Sequence, residues 1–125
     1  MQVLIHCLAI GVAGALGALA RFGVGHLCRR LFDTSFPIGT LIINVSGSFI
    51  LGWFVAYAGQ RAHVGEATRL AVAVGFLGAY TTFSTWVYDT SALAAEGKSA
   101  MAVANLVLSV VMGLVAVRLG AVCGR

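Results

Sequence analysis

The sequence predicts an all-α membrane protein with four transmembrane helices. Three observations predict it. Hydrophobic residues make up 60% of the 125-residue chain, and the mean hydropathy is +0.98. The charged side chains number eight basic and four acidic, too few to cover a soluble domain of this size. Four apolar stretches, Val3–Leu27, Ile38–Ala58, Leu70–Tyr88 and Ser99–Val117, each approach the ~20 residues that a bilayer core requires. The connections between them are short and leave no room for a soluble lobe. Residues 1–125 therefore read as one four-helix membrane domain.

The first stretch reads as a spanning helix and not as a cleavable signal. No basic residue precedes its apolar part, and it is longer than a signal core. It carries Gly11, Gly14, Ala15, Gly17 and Ala18. Small residues three and four apart let helix backbones approach closely, either within one chain or between two. Arg21 is the only charge inside the four stretches.

On the second stretch Thr40, Asn44 and Ser48 follow one another at i, i+4 and share a face. Asn44 is the expensive member, with two amide donors and a carbonyl acceptor. Two roles suit it: an interhelical bond of ~0.6 kcal/mol, or a place in the lining of a polar path.

The third stretch contains the most informative run, Gly78 to Val87. It combines Gly78 with the hydroxyls of Thr81, Thr82, Ser84 and Thr85 and the aromatics Tyr80, Phe83 and Trp86. Such residues are costly against lipid and make sense along a route for something that needs hydrogen bonds. Glycine weakens a helix and threonine competes for backbone carbonyls, so a break is expected near Gly78–Thr81. Non-helical backbone at this depth is tolerated where it is buried in protein or lines a wet cavity. Carbonyls freed there can coordinate a small cation. The positive ring edge of Phe83 can face an anion, although packing is the commoner role of a phenylalanine in an apolar helix.

On the fourth stretch Asn105 and Ser109 repeat the i, i+4 polar pattern. The donors at mid-membrane are thus amides and hydroxyls, with no lysine or arginine. Neutral donors suit rapid anion passage, because a strongly bound anion does not leave.

Four helices put both termini on one side, together with the second connection. That side collects Arg61, Arg69, Arg118 and Arg125; the other collects Arg21, Arg29, Arg30 and Lys98. The balance gives no preferred orientation under the positive-inside rule. Either the rule is noisy for so few charges, or the chain inserts both ways and pairs with itself as an antiparallel dual-topology dimer. Four short helices are also too few to enclose a sealed polar path alone, which favours a dimer.

Several classes are excluded. The basic residues sit singly at helix ends, which argues against nucleic acid. The three histidines and four acidic residues form no catalytic constellation, and no glycine-rich phosphate loop is present, so no enzymatic activity is expected. Cys7, Cys28 and Cys123 have neither metal spacing nor a disulfide framework and read as small apolar fillers.

Three segments in order, Gly14–Phe22 (GALGALARF), Gly39–Gly47 (GTLIINVSG) and Gly75–Thr85 (GFLGAYTTFST), resemble the Fluc (CrcB) fluoride channels over nearly the whole chain. The resemblance implies a four-helix chain forming an antiparallel homodimer in the bacterial inner membrane, with two separate fluoride pores and a structural sodium ion at the dimer centre. It implies that Asn44 is the pore amide and Phe83 an aromatic facing fluoride. Gly78 and Thr81 would offer backbone carbonyls to sodium, Ser109 would line the pore, and Arg21 would sit near a vestibule. Thr40, Ser84 and Thr85 join the pore as hydroxyl donors. Trp86 stands where the family usually has phenylalanine; its larger ring also has a positive edge and an N–H. The position of Asn105, often tyrosine or asparagine in the family, says less.

The resulting expectation is a passive channel that lets cytoplasmic fluoride leak out and lowers its toxicity. Two alternatives differ in class. A proton-coupled multidrug transporter of four helices needs a membrane-embedded carboxylate, and none lies at the centre of any stretch. A partner subunit of a heteromeric fluoride channel is kept open by Trp86 and opposed by the balanced basic count.

Overall fold

Each apolar stretch forms a helix long and apolar enough to cross a bilayer in the computed structural model, which describes residues 1–125. No strand is present. The first helix, α1, is Gln2–Leu31. It runs past the apolar stretch through Arg29 and Arg30 in its last turn, where cations complement the helix dipole. Pro37 immediately precedes α2, Ile38–Gly59. The end of α2 is tied down by Arg69, whose guanidinium donates to the carbonyls of Ala58 and Arg61 while its Nε donates to Val64. The bond to Ala58 reaches a carbonyl at the open C-terminal end of α2, and the other two hold the connection that follows it.

The third span, Glu66–Ala95, is bent and heterogeneous. It begins as α3 (Glu66–Arg69), widens into a π-helical segment, π1 (Leu70–Phe76), and returns to α-helix in α4 (Leu77–Tyr80). Thr81 and Thr82 adopt extended dihedrals (φ −77°, ψ 158° and φ −148°, ψ 112°) before α5, Phe83–Ala95. The span thus continues seven residues beyond Tyr88, and Asp89 lies within α5. Gly97, with φ 75°, ends it: Lys98 N–H donates to Leu93 O and Gly97 N–H to Ala94 O, a Schellman stop that needs a left-handed residue. The last helix, α6, is Ser99–Cys123.

Glycines set the packing. α2 lies along α6, α1 along π1 and α4, and α5 along α6. A Cβ on Gly17 would collide with the Phe76 carbonyl, and one on Gly75 would sit 2.7 Å from the Ile10 carbonyl. On the other seam a Cβ on Gly52 would meet the Val117 carbonyl, and those on Gly120 and Gly124 the Phe49 and Trp53 carbonyls. Such close backbone approach is how helices associate without a hydrophobic driving force. Gly14 and Gly17 therefore pack within the chain, whereas Gly11 has no neighbour.

Only 18 of 125 residues are buried, and large apolar side chains along α1 and α6 are exposed, among them Leu8, Leu16, Leu19, Val107 and Leu114. Water would not tolerate that surface; lipid does. The chain is a multi-pass membrane protein.

Candidate functional site

The bend at Thr81–Thr82 organises the polar residues. Extended backbone inside a membrane must find partners for its peptide groups, and α2 supplies them. Asn44 Nδ2 donates to Thr82 O at 3.0 Å, and Thr82 N–H donates to Asn44 Oδ1 at 2.8 Å. Gly47, one turn on, lets the bend approach, since a Cβ there would strike Thr81 Cγ2. Thr82 then acts as the N-cap of α5, its Oγ1 accepting from Thr85 N–H at 3.3 Å and bonding Thr85 Oγ1 at 2.9 Å. Tyr80 is buried and shares a hydrogen bond with Ser46 at 2.9 Å, so it serves packing.

These bonds free two carbonyls. Thr82 N–H goes to Asn44, so Gly78 O lacks its usual i+4 donor. Thr85 N–H goes to the Thr82 hydroxyl, so Thr81 O lacks its own. Both residues line the same cavity. Carbonyl oxygens without helical partners are suitable donors to a hard monovalent cation.

Two cavities flank the bend. The first, of about 320 Å³, is lined by Asn44, Ser48, Phe83, Trp86 and Ser109 together with Gly78 and Thr81. The second, of about 560 Å³, is lined by Arg21, Arg29, Thr40, Thr85 and Asp89. Thr82 lines both. The proposed pore residues are thus divided between two chambers that meet at the bend. Ser84 is exposed and lines neither.

The free donors are fewer than the sequence suggests. Ser48 donates to Asn44 O at 2.7 Å, and Thr40 to Asp89 Oδ2 at 2.7 Å. Ser109 makes a long contact to Asn105 Oδ1 at 3.4 Å, near the limit of a hydrogen bond, so its hydroxyl is easily diverted. Asn44 keeps one N–H outside its bonds to Thr82. The Phe83 and Trp86 rings lie 5.4 Å apart, tilted by 54°. The indole N–H of Trp86 donates to Asn105 O at 3.3 Å, so Trp86 presents ring carbon to the cavity and not its N–H.

Asp89 is a wall residue that sequence reasoning assigned to a connection. It lies about 10 Å along α5 from the bend, at 1.5 Å per residue, and shares its cavity with Arg21 and Arg29. The signal that could have found it is the spacing Thr82, Thr85, Asp89, which shares one helix face.

The chain is similar to known proteins over most of its length. The chain is 45% identical over 111 residues to the fluoride-specific ion channel FluC 2 of Symbiobacterium thermophilum, covering 89% of this chain and 90% of that one. It is 42% identical over 115 residues to the fluoride-specific ion channel FluC of Shewanella amazonensis, covering 92% of each. It is 50% identical over 117 residues to the FluC of Methylococcus capsulatus, covering 94% of this chain but 51% of that longer relative. Residues 8–121 match the family described as CrcB-like protein, Camphor Resistance (CrcB). The chain belongs to the CrcB family.

Proposed function

We propose that this chain is a passive fluoride-selective channel that lets fluoride leave the cytoplasm across the bacterial inner membrane. The observation that carries the proposal is the pair of cavities joined at Thr82: the first is lined by amide, hydroxyl and aromatic side chains and holds no charged residue, and the second carries Arg21 and Arg29. The names of the relatives point the same way. Fluoride is small and a strong hydrogen-bond acceptor, so groups that replace its water must be donors, and weak enough to release it.

In this reading Arg21 and Arg29 raise the local anion concentration in the second cavity and offset Asp89. Thr40 and Thr85 accompany the ion to the bend. The remaining N–H of Asn44, the hydroxyl of Ser109 and the electropositive edges of Phe83 and Trp86 carry it through the first cavity. Ser84 keeps a pore role only if a second chain closes over it.

The functional unit is an antiparallel dual-topology homodimer. The balanced basic residues support it, as does the exposure of Phe83, 74% in the single chain, which a partner would cover. The bend is the break in the third helix. Gly78 and Thr81 would hold sodium through their freed carbonyls, and the ion would supply a fixed positive charge that ties the two bends together. Fluoride efflux from liposomes that contain only the purified chain tests the channel reading.

A further inference from the structure

Asn105 is completely buried, at 0% exposure, and does not line either cavity flanking the bend. Yet every polar atom of its side chain has a partner. Nδ2 donates to Thr90 Oγ1 at 2.8 Å, and Oδ1 faces Ser109 Oγ at 3.4 Å. Thr90 Oγ1 in turn donates to Trp86 O at 2.8 Å. The loop closes when Trp86 Nε1 donates to the Asn105 carbonyl at 3.3 Å. Two helices, α5 and α6, are thereby joined by a ring of bonds that begins and ends on Trp86. A helical carbonyl has a second lone pair, and the clamp through Thr90 holds α6 so that this lone pair meets the indole.

We propose that Asn105 is a positioning residue for Trp86, fixing the indole with its N–H turned away from the first cavity so that a ring surface of set width faces the ion. The proposal rests on the channel reading above. An indole released from this clamp has two free torsions and enough bulk to swing across a single-file path. It would also present an N–H donor to fluoride, a group that retains the ion longer than a ring edge does. The clamp therefore sets both passage rate and release. It also leaves the Ser109 hydroxyl weakly held, ready to turn toward an anion.

The test is a double-mutant cycle on fluoride efflux, with Trp86 emission measured in parallel. Trp53→Phe leaves Trp86 as the sole indole. In that background, Asn105→Leu and Thr90→Val each break the Asn105–Thr90 link that holds α6 in place, while keeping volume and leaving the Asn105 backbone carbonyl present, and each should lower efflux about three- to twentyfold, the span of interhelical hydrogen-bond strengths. Each should also shift the Trp86 emission maximum. In a Trp86→Phe background, which has no indole to hold, Asn105→Leu should change efflux less than about twofold, since interacting residues are non-additive. An equal loss in the tryptophan and phenylalanine backgrounds would overturn the proposal, because Asn105 would then act through packing alone. Unchanged emission in both clamp variants would overturn it as well. If Asn105→Leu fails to assemble, Thr90→Val carries the same comparison. Absence of fluoride efflux from the parent chain would defeat the channel reading, while the emission of Trp86 would still decide the clamp.

Discussion

The Asn44 carboxamide holds the Thr82 peptide at both its groups, donating to the carbonyl at 3.0 Å and accepting from the N–H at 2.8 Å. One side chain on α2 thus replaces the helical partners that the third span loses at its bend. Asn44 is a backbone lock as well as a lining residue, and the two roles fail together.

Asn44→Ala is therefore expected to lower stability as well as flux. Two hydrogen bonds disappear and two peptide groups lose their partners, which costs about 1 to 3 kcal/mol. Thermal unfolding in detergent and fluoride efflux, measured on the same preparation, check this. A variant with the stability and the flux of the parent would contradict it.

Phe83→Ile should reduce fluoride efflux by about two- to tenfold, the worth of a ring-edge contact. Isoleucine keeps bulk but has no positive edge. Trp86→Phe should instead raise efflux, because the smaller ring widens the path and keeps the edge. If Phe83→Ile conducts like the parent and Trp86→Phe changes nothing, both rings are packing residues.

Gly120→Ala should destabilise the α2–α6 seam by about 1 to 3 kcal/mol, the usual cost of overpacking. The added methyl meets the Phe49 carbonyl, which is backbone and cannot step aside. Gly11→Ala, with open space around it, serves as the control and should leave unfolding unchanged. Equal effects at the two positions would remove the packing argument.

Hydropathy made the four spans legible, but not where the third ends. Asp89 interrupts the apolar run, yet α5 continues to Ala95 and stops only at the left-handed Gly97. Charge marks where lipid contact ends, whereas the Schellman turn marks where the helix ends. The glycines of α1 were legible from their close spacing. Gly113 and Gly120 of α6 and Gly124 just past its end were not, because their meaning depends on α2 lying against them. The polar stripe of Thr40, Asn44 and Ser48 was visible as one face, but its division between two cavities requires the bend. Partners 38 residues apart, as with Asn44 and Thr82, leave no local trace. The same holds for the indole N–H of Trp86, which looked available until Asn105 was placed beside it.

Dual topology can be read directly. In a variant without Cys7, Cys28 and Cys123, single cysteines placed at Gln60 or His63, between α2 and α3, should react with impermeant reagent from both faces of the membrane, about half from each if insertion is unbiased. Labelling from one face alone would contradict the antiparallel homodimer.

Fluoride efflux from liposomes holding only this chain tests the central claim most directly. A fluoride gradient should collapse through the protein when charge is compensated by a potassium ionophore, and a chloride gradient under the same conditions should persist. Liposomes that retain fluoride, or that release chloride equally fast, would contradict the account.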